Sequence, residues 1–122
     1  MFGFIKNVFK KKKTPEELIA EYESVKGDLS SIKRLQKVMD LLNCVSEKDL
    51  KIKEAPSLFV FCYKELLVLK NGMAIKIATK YIQHELIQNE DAQLDFIKQV
   101  KESKEYKEWE LWNREQKMME DF

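Results

Sequence analysis

Residues 56–72 read PSLFVFCYKELLVLKNG, and how this stretch folds decides the class of the whole chain. Its first half, LFVFCY, is β-favouring and reads as a strand when taken alone. Its second half, KELLVLK, is built of good helix formers, and Asn71-Gly72 follows as a helical stop. Pro56 fits the first turn of a helix, where its missing N–H costs nothing. The helical reading accounts for the whole stretch. A helix with Leu58, Phe59, Val60, Phe61, Cys62, Leu66, Leu67, Val68 and Leu69 is apolar almost all round, so it belongs at the centre of the molecule.

The flanking segments are amphipathic at helical spacing. Upstream, Thr14-Pro15-Glu16-Glu17 is a capping box with proline at the first helical position. Leu18, Tyr22 and Val25 then share a face, and Gly27 stops the helix. Asp28 is the expected cap of a second helix over 28–45, with Ile32, Leu35, Met39 and Leu42 as its stripe and Lys33, Arg34, Lys37 and Asp40 away from it. The polar run SEKDLKIKEA, 46–55, reads as a linker. Downstream, Ile75, Ala78, Ile82 and Leu86 form one stripe. Asn89 caps a further helix, with Glu90 and Asp91 complementing its dipole and Leu94, Ile97 and Val100 as its apolar face. After Glu102 the phase slips to Tyr106, Trp109 and Trp112, which places a break near Ser103.

These segments predict an all-α fold: a small bundle of five or six helices built from antiparallel helical hairpins. Residues 14–122 form a single domain, preceded by an amphipathic basic segment over 1–13. Three glycines and two prolines in 122 residues leave few tight turns. A 41-residue offset separates Thr14-Pro15 from Ala55-Pro56, within the range of helical repeats, but the two halves share no further pattern. With 44% hydrophobic and 35% charged residues the chain is globular rather than disordered. No run reaches the ~20 apolar residues of a membrane span.

Catalytic furniture is not legible. The lone histidine, His84, lies in YIQHELIQ, which lacks the second histidine of a metalloprotease helix. Cys44 and Cys62 sit in apolar patterns and read as reduced, buried thiols, without zinc spacing. Three scattered glycines build no phosphate loop, and the paired acids at 16/17, 90/91 and 120/121 read as caps or solvated charges. The expectation is a non-enzymatic protein with no metal and no cofactor.

Two segments point instead to binding. Residues 1–13, MFGFIKNVFKKKK, carry five lysines and no acid, whereas the remaining 109 carry 17 basic and 21 acidic residues. At about 100° per residue, Met1, Phe2, Phe4, Ile5, Val8 and Phe9 fall within about 160° of arc, opposite Lys6, Lys10 and Lys11. Such segregation suits a helix lying in a bilayer interface, with Lys10, Lys11, Lys12 and Lys13 against anionic headgroups or other phosphates. Each lysine contributes about 1 kcal/mol there, against about 1–2 kcal/mol per residue for ordering the backbone, so the anchor is weak and reversible. The competing reading puts residues 1–9 in the core as the first helix.

At the other end, Tyr106, Trp109, Trp112, Met118 and Met119 stand amid charges, the composition of a partner-binding surface for another protein or a second copy. Trp109 and Trp112 folded back onto the bundle are the alternative. The sequence therefore predicts a cytoplasmic accessory or adaptor module for protein–protein interaction, peripheral at the inner membrane face through its polybasic N-terminus. The alternative function is a nucleic-acid-associated regulator using Lys10–Lys13 and the basic face of helix 28–45.

Overall fold

The fold follows from the segment that has too much apolar surface to sit at an edge. In the computed structural model, which describes residues 15–43 and 55–120, that segment is a continuous helix, Ala55–Leu69. Among the described residues six α-helices follow in chain order: α1 (Pro15–Val25), α2 (Ser31–Asn43), α3 (Ala55–Leu69), α4 (Gly72–Glu85), α5 (Glu90–Glu102) and α6 (Lys104–Glu120). No strand occurs among the described residues, and the chain is all-α. The amphipathic segment 1–13, Cys44 and residues 46–54 of the expected linker over 46–55 lie outside the described residues, and Ala55, its last residue, is already the first of α3.

Leu58, Phe59, Val60, Cys62, Glu65, Leu66 and Leu67 of α3 are all buried, which takes up more than half of its circumference. The other five helices pack around it, each through a named pair. Tyr22 of α1 meets Phe61 edge to face at 5.7 Å, and Arg34 of α2 reaches Glu65. Tyr81 of α4 stands edge-on to Phe59 at 6.2 Å, and Phe96 of α5 does the same to Tyr63 at 5.5 Å. Lys64 pairs with Glu105 of α6 at 3.8 Å. The bundle is thus arranged around α3 as a hub. α4 and α5 lean on α3 and α5 also on α6, while α4 and α5 barely approach one another.

Helix ends show where local chemistry differs from the simplest sequence reading. α1 runs into a 3-10 turn at Lys26–Asp28, so Asp28 sits inside that turn and does not cap α2. Ser30 does, accepting from the Lys33 N–H at 3.3 Å. Asn71 and Asn89 cap α4 and α5, each side-chain oxygen accepting from the N–H three residues on, of Ala74 and Ala92 respectively. Ser103 ends α5 and starts α6 at once: its hydroxyl donates to the Val100 carbonyl at 2.6 Å and accepts from the Tyr106 N–H at 3.2 Å. That double use is the break expected near 103.

The α3 terminus is a correction. The left-handed residue there is Lys70, φ 56°, whose N–H returns to the carbonyls of Leu66 and Leu67. Gly72 instead begins α4. A lysine in this conformation is strained by about 1 kcal/mol relative to glycine. Against that, its Nζ lies 5.6 Å from the Trp112 ring centroid, worth about 0.5 kcal/mol at an exposed site. Lys70→Gly is therefore expected to stabilise the chain by about 0.5 kcal/mol in a urea titration, whereas Lys70→Ala loses the ring contact and keeps the strain.

The stripe Ile75, Ala78, Ile82 and Leu86 is buried as its spacing requires. Two other faces are rotated from expectation. Of the α2 stripe, Leu42 is buried and Leu35 and Met39 pack half-buried against the core, but Ile32 is 71% exposed, and Val38 and Leu41 are buried as well. In α5 the residues against the core are Ala92, Phe96 and Val100, leaving Leu94 and Ile97 on the surface. In both helices two apolar stripes compete, and the one that meets α3 wins.

Candidate interaction surface

The polar groups of the core come together around Glu65. This glutamate is 9% exposed on the hub helix and receives three donors. The Tyr22 hydroxyl donates to Oε2 at 2.8 Å, Arg34 Nη2 donates to the same oxygen at 3.3 Å, and Lys26 Nζ stands 3.5 Å from Oε1. The cluster ties α1, the 3-10 turn and α2 to α3. Burial pushes the Tyr22 hydroxyl above its ordinary pKa, and Glu65 adds to this, while Arg34 pulls the other way. The Arg34 guanidinium is itself held above its ordinary value, first by its hydrogen bond to Tyr22 and then by Glu65, with desolvation opposing.

This cluster is closed upon itself and reads as a structural clasp. Sequence periodicity did not find it, because Arg34 and Glu65 lie 31 positions apart and each looks like a solvated charge on its own helix. Arg34 had been expected to face outward with Lys33 and Lys37. Its inward turn leaves α2 a thinner basic face.

The sign of the pH dependence follows from Tyr22. A folded-state pKa raised above the ordinary 10.0 means that the unfolded chain ionises first. The contribution is intact below pH 10 and is lost as pH rises through and beyond it. Tyr106 acts in the same direction, its hydroxyl raised mainly by burial and then by Glu110. Urea unfolding at pH 8 and pH 11 is expected to show a smaller alkaline loss of stability for Tyr22→Phe than for the unaltered chain.

A surface with a different character lies between α4 and α5. Because these helices lean on α3 without closing on each other, a groove of about 280 Å³ opens between them. Ile82 of α4 and Leu86 at its C-terminal cap, Phe96, Ile97 and Val100 of α5, Tyr63 of α3 and Tyr106 of α6 line it. Its polar fittings are few: the Tyr63 and Thr79 hydroxyls share a hydrogen bond of 3.0 Å, and Gln83, Gln93 and Lys101 stand at its edge. Gln93 donates to the Leu86 carbonyl and so ties α5 to the turn that joins the two walls. Ile97 is 44% exposed at the groove, and Leu94, one turn away on α5, is 59% exposed.

The tail residues divide. Tyr106 and Trp109 are half-buried against the core, with their rings 6.0 Å apart, so these two fold back onto the bundle. Trp112 is half-buried beneath Lys70. Leu111, Met118 and Met119 face outward, and Arg114 pairs with Glu110 on the exposed side of α6. Tyr106 alone of the expected partner-binding set lines the groove. Phe2, Phe4, Ile5, Lys6, Val8, Phe9 and Lys10, Lys11, Lys12 and Lys13 lie outside the described residues, so the structure brings none of them to a site. Ile97 and Leu94 were read as core; only the splaying of α4 from α5 reveals them as a rim, and no local pattern signals that splaying.

Among the described residues no group of three or more His, Cys, Asp and Glu is placed to hold a metal ion. His84 is exposed near the end of α4, and Cys62 is fully buried. No described helix is long and apolar enough to cross a membrane. No protein family, curated protein or solved structure matches this chain.

Proposed function

We propose that this protein is a non-catalytic helical interaction module that grips apolar side chains of a partner protein in the groove between α4 and α5. The observation that carries the reading is the groove itself: an open, largely apolar cleft with half-exposed Ile97 in its lining, and Leu94 exposed one turn away on α5. Exposed apolar surface around a preformed cleft is the usual mark of a protein contact, and an amphipathic partner helix fills such a cleft with side chains at i, i+3 and i+4. The polar residues around Glu65 are engaged with one another: Tyr22, Arg34 and Lys26 all converge on its carboxylate. Residues 1–13 add a second element, peripheral recruitment to an anionic membrane surface at the cytoplasmic face, through their segregated phenylalanines and lysines. The nucleic-acid alternative is the weaker one, since Arg34 is committed to Glu65 and α2 presents only Lys33 and Lys37 outward.

Site-specific photo-crosslinking in the producing cell tests the protein contact. A benzophenone side chain at position 97 or 94 is expected to give one discrete adduct, and the same group at exposed Gln36 on α2 is expected to give none. No adduct at 97 and 94, or an identical adduct at 36, would sink the reading. Liposome co-sedimentation of the full chain tests the membrane element: pelleting with phosphatidylserine vesicles and not with neutral ones is expected.

A further inference from the structure

α6 leans on the bundle through Tyr106 and Trp109. Its opposite side carries Leu111 and Met118, one heptad apart and each more than half exposed. At about 100° per residue these two fall within about 20° of one another, a stripe down the middle of the free face. The flanks of the stripe differ in sign. Lys107 and Arg114 lie about 40–60° to one side, Glu115 and Glu108 about 40–60° to the other, and all four are exposed. Neither Lys107 nor Glu115 has an ion-pair partner among the described residues. Arg114 holds Glu110 through one nitrogen and keeps further donors. We propose that this face joins two copies of the chain, α6 beside α6 in parallel, into a reversible dimer.

The charge pattern selects both the occupant and its orientation. When two identical helices pair in parallel about a two-fold axis between them, the basic flank of each lies beside the acidic flank of the other. Lys107 then meets Glu108 of the second copy, and Arg114 meets its Glu115. The members of each pair are neighbours in sequence, so they stand within about 1.5 Å of the same level along the helix. Antiparallel pairing would set basic flank on basic flank and acidic on acidic. An anionic bilayer or a nucleic acid would meet Glu108 and Glu115 as well as the cations, which repels it. The face is complementary to itself.

Lys104 marks where the seam starts. It lies on the line of the stripe, where two copies of it would face one another, and it pairs with Glu108 of its own helix instead. The seam therefore runs from Lys107 to Met119, whose exposed side chain widens the stripe. A seam this short falls below the interfaces of about 1,200–2,000 Å² that hold stable complexes, so the dimer is weak and concentration-dependent. The face lies on the far side of α6 from Tyr106, which lines the α4–α5 groove. The dimer thus stands apart from the groove reading and carries two such grooves.

Sedimentation equilibrium of the full chain, from micromolar to millimolar concentration, is expected to follow a monomer–dimer equilibrium. Leu111→Glu should raise the dissociation constant at least about tenfold, since it sets like charges against each other on the stripe. Charge-swapped chains test the flanks. Lys107→Glu with Arg114→Glu, and Glu108→Lys with Glu115→Lys, should each be monomeric alone, and their equimolar mixture should restore the dimer. Melting curves at low concentration verify that every variant is folded. A benzophenone side chain at position 118 reads the orientation: its cross-link to the second copy is expected around residues 115–119. A chain that is monomeric at every concentration, a dimer indifferent to Leu111→Glu, or a mixture that stays monomeric overturns the proposal. So does a cross-link around residues 104–108, which would make the pairing antiparallel. A monomeric chain whose probe at 118 captures a different protein in the producing cell also overturns it, and gives the face to that protein.

Discussion

Replacing Phe59 with alanine is expected to remove about 3–5 kcal/mol of stability, the largest effect of any single substitution considered for this protein. Phe59 is 0% exposed on the hub helix and meets Tyr81 edge to face. The loss combines the transfer energy of the ring with the cavity left behind, which a helix surrounded by five others cannot collapse to fill. It also withdraws one of the two named contacts that hold α4 to the bundle, the other being Tyr63–Thr79. Since a domain of this size is stable by only about 5–15 kcal/mol, the variant should melt lower by about 9–25 °C, at about 3–5 °C for each kcal/mol. Differential scanning calorimetry reads this directly. A fall of only a degree or two would mean that α3 is not the hub.

Glu65→Ala is the second large effect, expected at about 3 kcal/mol. Removing the carboxylate leaves the Tyr22 hydroxyl and the half-buried Arg34 guanidinium without their shared acceptor. The cost belongs to the orphaned donors more than to the attraction lost, and a double substitution separates the two. Arg34 Nε is already buried without an acceptor among the described residues, so the guanidinium is an imperfect tenant of its site. Glu65→Leu combined with Arg34→Met should therefore recover part of the loss seen in Glu65→Ala, because paired replacement of a buried ion pair by apolar side chains is often near neutral, while the Tyr22 hydroxyl still lacks its acceptor. Chemical denaturation of the single and double variants measures this. Additive losses in the double variant would show that the pair contributes net stability in its own right.

Much of the fold was legible because burial and periodicity coincide where a helix has one neighbour. Ile75, Ala78 and Ile82 of α4 and Leu86 at its C-terminal cap are buried, and their spacing named the face correctly. The cap at Asn89 and the break at Ser103 are likewise local chemistry, decided within three or four residues, whereas Asn71, which reads as a stop for α3, caps α4. The arrangement of helices around α3 was not legible. α2 and α5 each carry apolar residues on two adjoining stripes, so which stripe turns inward depends on where the hub lies rather than on the helix itself. That is why Ile32, Leu94 and Ile97 were assigned to the core and stand outside it. The same limit hid the clasp: Tyr22 looked like one more apolar stripe residue of α1, and nothing local shows that Glu65 and Arg34 converge on its hydroxyl.

The candidate groove illustrates the point more sharply, since it exists because two consecutive helices do not close on one another. Short connections favour antiparallel neighbours, and the turn at residues 86–89 would have allowed α4 and α5 to pack as a hairpin. Tyr63 and Phe96 prevent it. The edge-to-face pair draws α5 onto α3, while Phe59–Tyr81 and Tyr63–Thr79 hold α4 to the same helix on another side. The space left between is apolar because its walls are the flanks of the two inward stripes.

Ile97→Lys is the measurement that bears most directly on the function proposed, because it separates a binding residue from a packing one. The melting temperature should stay within about 2 °C of the unaltered chain, as for a surface position away from the core. The photo-adduct formed from position 94 should at the same time disappear, since a lysine at 97 places a charge at the apolar groove. An adduct that persists in Ile97→Lys, or a melting temperature that falls as far as in Phe59→Ala, would contradict the assignment of this groove as the partner-binding surface.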